Sequence, residues 1–179
     1  ELQATVRAAL LDSVRHHLVA DVPVGAFLSA GIDSCALVGL MKDAGQRDIQ
    51  TVTLGFAEFW NTPQDEVPLA AQVARHYGVR HTNRVVGEAE FQDDLPRILV
   101  AMDQPSIDGI NTWFVSKAAA EIGLKVAVSG LGGDELLGGY PSFRDIPRWV
   151  RMMWLPGRIP CLGPLMEQVQ AAFPLLRGM

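Results

Sequence analysis

Apolar and polar positions along the first 145 residues switch repeatedly between two periods. Over residues 4–19 apolar side chains recur at Val6, Leu10, Val14 and Leu18, with Arg7 and Arg15 off that stripe, which predicts a helix with one buried face. VPVGAFL (22–28) is a short apolar run and predicts a strand ending near Leu28. Ser29-Ala30-Gly31-Ile32-Asp33-Ser34 interrupts it, and residues 34–43 return to helical spacing with Leu37, Leu40 and Met41 inward. IQTVTLGF (49–56), rich in β-branched residues, predicts a second strand. In NTPQDEVPLAAQVARHYG (61–78) Thr62 is placed as a helix cap, Pro63 in the first turn, Asp65 three residues after the cap and Gly78 as the stop. VRHTNRVV (79–86) predicts a third strand and residues 91–101 a helix. MDQPSIDGINTWF (102–114) predicts a turn-rich link, with Asn111 capping a helix over 112–122 that Gly123 ends. KVAVSG (125–130) predicts the fourth strand.

Short apolar strands alternating with helices predict an α/β fold, a Rossmann-like open parallel sheet with helices on both faces. After Tyr140 the pattern changes. RWVRMMWLPGRIPCLGPLMEQVQAAFPLLRGM (148–179) is rich in Trp, Met, Leu and Pro and predicts short helices and loops without a strand. Its large apolar residues require a surface to pack on, either the sheet domain or a further part of the protein. The expected organisation is a sheet domain over 1–145 and a helical packing segment of the same domain over 146–179.

Composition narrows the function classes. At 179 residues the chain suits one domain with a real core. A net charge of -5 without a basic run argues against nucleic-acid binding. No apolar run approaches the roughly 18–20 residues of a membrane span. The opening ELQATVRAAL lacks the regions of a secretion signal, so a cytoplasmic location is the expectation. Cys35 and Cys161 have neither zinc nor redox spacing, and Cys35 reads as a small buried thiol in a first helical turn. The chain starts at Glu1 rather than Met, and is expected to be a piece of a longer protein.

In an open parallel sheet, ligands sit beyond the carboxyl ends of the strands. Two polar loops fall there: Ser29–Ser34 after the first strand, and Ser129-Gly130-Leu131-Gly132-Gly133-Asp134-Glu135 after the fourth. Small residues let backbone N–H groups close on an anion, and a helix N-terminus adds donors and a favourable dipole. Ser29 and Ser34 carry hydroxyl donors. An aspartate beside phosphate makes sense if it holds Mg²⁺, which takes one or two carboxylates together with phosphates, and Asp33 and Asp134 could supply them. Taken singly, SAGIDS is also what an ordinary strand-to-helix turn looks like, and SGLGGDELLGGY a helix cap with a glycine loop. At matching positions of one sheet the two point to an anion site. Neither a Walker loop nor a G-x-G-x-x-G loop is present, and no P-loop lysine supports a kinase.

These residues resemble the asparagine synthetase type of glutamine-dependent amidotransferases, specifically its C-terminal synthetase domain. The family's pyrophosphate loop runs Ser-Gly-Gly-x-Asp-Ser after DVPVGxxLS; here Asp21-Val22-Pro23-Val24-Gly25 precedes Ser29-Ala30-Gly31-Ile32-Asp33-Ser34. Its second signature, Ser-Gly-x-Gly-x-Asp-Glu-x-x-Gly-Gly-Tyr, matches Ser129 through Tyr140. TVTLGF and DQPSIDGINTWFVSK between them are similar too, so the likeness covers about residues 4–145.

The resemblance implies an ATP-pyrophosphatase domain of the adenine nucleotide alpha hydrolase-like fold. Such domains adenylate a substrate carboxylate, and ammonia from a glutaminase domain then displaces AMP. By this likeness Ser29, Gly31, Asp33 and Ser34, with Ala30 in the same loop, hold the β- and γ-phosphates. Asp33 and Asp134 bind Mg²⁺ and, with Ser129, form the catalytic set. Leu28, Thr53, Leu54 and Gly55 flank adenosine, and Ser129 and Gly130 lie near the α-phosphate and ribose. The implied partners are ATP, Mg²⁺, a glutaminase domain in the full-length chain and aspartate or another small carboxylate, with a homodimer left open.

Two departures stand out. Ala30 replaces a glycine, which costs about 1 kcal/mol or more if the backbone there needs positive φ. Leu131 stands where the family often has an acid, and it cannot relay protons or bind metal. This leaves open the same chemistry on another acceptor, such as a cyclising amide synthetase or an amidotransferase for a cell-surface or natural-product precursor. It also leaves open a degenerate nucleotide-binding or scaffold domain. The family's catalytic lysine is expected beyond Met179, since Lys117 in a helix and Lys125 opening a strand are poor replacements. The isolated chain is therefore expected to be inactive while keeping its nucleotide site. Asp103, Gln104, Ser106, Asp108, Asn111 and Thr112 read equally as substrate contacts or as turn and cap residues. Glu135 supports the metal site or a helix start, and Tyr140 packs the glycine loop or touches substrate. His16 and His17 read as surface or interface residues, and His76 and His81 show no ligand spacing with them.

Overall fold

The computed structural model describes residues 1–104 and 106–154. Those residues form two units that meet in sequence between Leu131 and Gly132. The first contains α1 (Leu2–His17), β1 (Val24–Phe27), α2 (Ile32–Asp43), β2 (Gln50–Phe56), α3 (Val67–Tyr77), β3 (Arg80–Val86), α4 (Glu88–Ala101), α5 (Ile107–Glu121) and β4 (Val126–Val128). The four strands lie in the order β3-β2-β1-β4, and every pairing is parallel.

The period-2 pattern of the strands sends alternate side chains to two cores. Ala26 and Leu28 join Val14, Val38, Met41, Ala70 and Ala74 from α1, α2 and α3 on one face. Leu54, Phe56 and Val86 join Ile98 and Phe114 from α4 and α5 on the other. The fold is therefore the α/β parallel sheet with helices on both faces that the alternation predicts. Val14 is the buried centre of the α1 stripe. On α2 the buried apolar residues are Val38 and Met41, while Leu37 and Leu40 are half-buried against the same core.

Two helix starts differ from the sequence expectation. Thr62 does not cap α3: its hydroxyl donates to the Phe59 carbonyl at 2.7 Å and accepts the Gln64 N–H at 3.3 Å. Asp65 accepts the N–H groups of Asn61 and Val67, both at 3.1 Å. These polar residues are consumed in consecutive turns, and α3 begins only where Pro68 falls in its first turn, where a missing N–H costs nothing. Asn111 is likewise no cap. Ser106, with extended backbone, precedes α5, and Asp108 in the first turn favours its positive end. The helix expected over 91–101 starts at Glu88, with Glu88 and Glu90 in its first turn, and runs through Pro96. Gly78 terminates α3 in left-handed conformation, as expected.

The described part of the second unit holds α6 (Gly133–Leu137) and α7 (Pro141–Met153). Pro141 opens α7, which passes through Pro147. It exposes Phe143, Ile146, Trp149, Val150 and Met152. The expectations for residues 155–179, Cys161 among them, lie outside the described residues.

Candidate functional site

Strand order places the site. The chain proceeds outward from β1 through β2 to β3, then returns across the sheet to lay β4 on the other side of β1. The crevice beyond the carboxyl ends of β1 and β4 is thus the topological switch point, where open α/β sheets bind ligands. Both Ser29–Ser34 and Ser129–Leu131 emerge there.

The two loops touch. A β-carbon built on Gly130 would lie 2.9 Å from the Ser34 amide nitrogen and 3.0 Å from both the carbonyl carbon and the β-carbon of Asp33. Only glycine lets the β4 loop close on the first turn of α2 in this way.

Inside the first loop the hydroxyls are mutually engaged. The Ser34 hydroxyl is 2.7 Å from the Ser29 carbonyl, 3.1 Å from the Gly31 carbonyl and 3.0 Å from the Ser29 hydroxyl. The Gly31 N–H donates to the Ser29 hydroxyl at 3.3 Å. Gly31 has extended backbone (φ -69°, ψ 153°) and precedes α2, whose first-turn N–H groups have no acceptor within the helix. Ala30 has negative φ, since Asn61 is the one non-glycine residue with positive φ among those described. The Asp33 carboxylate stands half-exposed on that first turn without a hydrogen bond or ion pair among the described residues. Cys35 is half-buried against the first core, with its thiol 3.9 Å from the Ser29 carbonyl.

Leu28 is buried in the first core and Leu54 packs into the second, so neither side chain is free for a ligand. Thr53 is buried, and its hydroxyl donates to the Leu28 carbonyl. Gly55 lies against Val67, where a β-carbon would come 2.7 Å from its methyl group. The exposed Ser129 hydroxyl accepts the Leu131 N–H at 3.2 Å. Leu131 is 88% exposed.

Asp134 and Glu135 lie on α6, in the second unit. Asp134 folds beneath Gly139, where a β-carbon would overlap its carboxylate, and its carbonyl accepts the Gly139 N–H at 2.9 Å. Tyr140 donates to the Glu135 carboxylate at 2.9 Å and stacks on Phe143, which ties this loop together. Among the described residues no group of three or more His, Cys, Asp or Glu side chains is placed to hold a metal. A site for Mg²⁺ here has to be one of few carboxylates completed by phosphate oxygens, which the unpartnered Asp33 suits.

Ser106, Asp108 and Thr112 contribute to a cavity of about 590 Å³ between α4 and α5, with Ile98, Met102 and Trp113. Asp103, Gln104 and Asn111 are not part of its lining.

One polar cluster has no counterpart in the sequence reading. Arg84 of β3 pairs with Glu90 at 2.6 Å and Glu121 at 2.8 Å. Lys117 of α5 pairs with Glu90 at 2.7 Å and the buried Asp94 at 2.6 Å, and Trp113 donates to Asp94 at 3.2 Å. Hydrogen bonds from Arg84 hold Glu90 and Glu121 below the usual carboxylate range, and Lys117 does the same for Asp94. Lys117 is thus committed to structure, and its own pKa is raised by Asp94 and then Glu90. A charged residue in the middle of a strand, Arg84, was the one signal of this cluster in the sequence.

The model of the asparagine synthase family matches residues 5–177. This chain belongs to the asparagine synthase family. It is 37% identical over 147 residues to glutamine-hydrolysing asparagine synthetase 1 of Bacillus subtilis (strain 168), covering 81% of this chain and 22% of that protein. It is 29% identical over 157 residues to glutamine-hydrolysing asparagine synthetase B of Escherichia coli (strain K12), covering 79% and 28%. It is 30% identical over 161 residues to the amidase chyE of Penicillium rubens, covering 80% and 23%. The chain thus spans between a fifth and a third of the length of these relatives. Its fold is also that of a glutamine-dependent NAD+ synthetase from Acinetobacter baumannii solved in complex with ADP, with a TM-score of 0.52 at 18% identity over 78% of this chain and 28% of that one. That likeness is one of fold, an open parallel sheet covered by helices on both faces. No helix among the described residues is long and apolar enough to cross a membrane.

Proposed function

We propose that this chain is the ATP-binding part of an AMP-forming amide synthetase, in which a carboxylate is activated and then amidated by glutamine-derived ammonia. The observation that carries the reading is the meeting of Gly130 with Asp33 and Ser34 at the switch point, in a chain of this family. When bound, Mg-ATP would supply a good leaving group, pyrophosphate, to the carboxylate being activated.

The residues divide the work as follows. Backbone N–H groups of the Ser29–Ser34 loop and the first turn of α2 hold phosphate charge, with no reorganisation needed at the moment of reaction. Asp33 would hold Mg²⁺. Ser129 and Gly130 lie nearest the reacting phosphate. Leu28, Thr53, Leu54 and Gly55 present backbone to adenosine, since the first three have buried or packed side chains and Gly55 has none. Aspartate is the first acceptor to try, and a glutaminase domain in the complete protein is the ammonia source. The 179-residue chain binds nucleotide without turning over amide.

A second reading, the same chemistry on another acceptor, is favoured by Leu131, whose exposed apolar side chain offers the reacting centre neither a charge nor a proton. The likeness to an amidase, chyE, keeps acceptors other than aspartate in view.

The test is the complete protein with Mg-ATP, glutamine and aspartate, with AMP, ADP, pyrophosphate and asparagine measured together. Equal AMP, pyrophosphate and asparagine supports the first reading. AMP and pyrophosphate only with a different carboxylate supports the second. ADP would overturn the assignment of the phosphate loop.

A further inference from the structure

We infer that Thr53 and Ser34 are positioning residues, whose buried hydroxyls aim the backbone donors of the Ser29–Ser34 loop at phosphate; this rests on reading that loop as the phosphate site. β1 ends at Phe27, and the Leu28 N–H makes one further bond, to the Val52 carbonyl at 3.0 Å. Beyond it no strand pairing sets the orientation of the peptide planes.

Two hydroxyls take over. Thr53, 3% exposed, donates to the Leu28 carbonyl, and Ser34, 7% exposed, donates to the Ser29 carbonyl. No peptide bond among the described residues is cis, and across a trans peptide the C=O and the following N–H point in opposite directions. A Leu28 carbonyl drawn toward Thr53 therefore turns the Ser29 N–H away from it. A Ser29 carbonyl drawn toward Ser34 turns the Ala30 N–H away in the same manner. Neither N–H has a protein acceptor among the described residues. The loop thus presents two consecutive free donors next to those of the α2 first turn.

This division of labour differs from one in which Ser34 itself binds phosphate. A hydroxyl has one proton to donate, and that of Ser34 is directed at backbone carbonyls. Thr53 is likewise more than an adenosine neighbour: it sits on β2, fully packed, and reaches the loop only through the Leu28 carbonyl.

The experiment is calorimetric titration of the full chain with inorganic pyrophosphate and, separately, with AMP. Thr53→Val keeps the shape and deletes the hydroxyl, whereas Thr53→Ser keeps the hydroxyl. We expect Thr53→Val to weaken pyrophosphate about 3- to 10-fold, the worth of one oriented hydrogen bond, with AMP changed less than about twofold. Thr53→Ser restores pyrophosphate affinity. Equal losses for both ligands, or no loss, overturns the positioning role. Should Thr53→Val fail to fold, amide NMR of the wild-type chain decides: the Ser29 and Ala30 N–H signals shift downfield with pyrophosphate, and unmoved signals overturn the inference. A wild-type chain that does not bind pyrophosphate at all overturns the phosphate-loop reading itself, and this inference with it.

Discussion

Gly130 rests directly on Ser34: a β-carbon at Gly130 would stand 2.9 Å from the Ser34 amide nitrogen, with Asp33 backbone at 3.0 Å. The obstacle is backbone on a helix, not the tip of a mobile side chain, so it cannot yield cheaply. Gly130→Ala must lift the β4 loop away from α2. We expect a loss of about 1–3 kcal/mol in stability, the usual cost of overpacking, together with weaker ATP binding. Denaturant unfolding and nucleotide titration of the variant measure both. Unchanged affinity would separate the β4 loop from the nucleotide site.

Ala30 carries no backbone strain, because its φ is negative. Returning a glycine to this position should therefore gain nothing in nucleotide affinity. It should instead destabilise the chain by about 0.4–1 kcal/mol, through the greater freedom of glycine in the unfolded state. A tighter-binding Ala30→Gly variant would show that the loop needs a conformation alanine resists.

The strands and both site loops were legible because each is contiguous and its chemistry is local: apolar runs such as VPVGAFL, and small residues beside one aspartate. Helix starts were less so. Thr62 and Asn111 have cap chemistry, but Thr and Asn serve loop turns equally well, and Pro68 and Ser106 decided the outcome through positions that no single residue type announces. The hydroxyl bond from Thr53 to Leu28 was hidden, since it joins two strands whose register follows only from the folded sheet. The Arg84 and Lys117 cluster was hidden for the same reason. Its acids lie on two helices, where in sequence they look like an ordinary solvated face.

His81 predicts a pH dependence. Thr51 donates its one hydroxyl proton to the Arg80 carbonyl at 3.0 Å, so its oxygen accepts from Nδ1 of His81 at 2.9 Å. Nε2 is then the unprotonated nitrogen, and it is buried without a partner. Burial lowers the His81 pKa and Arg75 adds in the same direction, against an opposing pull from Asn83. A group whose folded pKa is depressed binds its proton more readily unfolded. Its stabilisation is complete above the unfolded value, about 6.5, and is lost as pH falls below that. The chain should thus unfold more easily at pH 5 than at pH 7.5, and His81→Leu should flatten the difference. A slope that survives in His81→Leu would place its origin elsewhere.

Lys117 is the counter-charge of a buried carboxylate. Asp94 is 5% exposed and is satisfied by Lys117 and Trp113 together. Lys117→Met removes the positive partner and leaves Asp94 and Glu90 beside one another with only Arg84, Arg97 and Trp113 to compensate. Removing one member of a buried pair costs more than replacing both with apolar groups, because the surviving charge stays desolvated. Lys117→Met alone should therefore be less stable than Lys117→Met combined with Asp94→Leu. The same reasoning fixes the effect of acid on the wild type. The depressed pKa values of Asp94, Glu90 and Glu121 give stability that is present above their unfolded values, near 4, and fades as pH falls below them. The single variant should lose part of this acid sensitivity, since its Asp94 no longer has a lysine that favours the charged form. Urea unfolding of the three proteins between pH 3 and pH 7 checks both statements. A double variant less stable than the single would mean that Asp94 is held in place by something other than its ion pair.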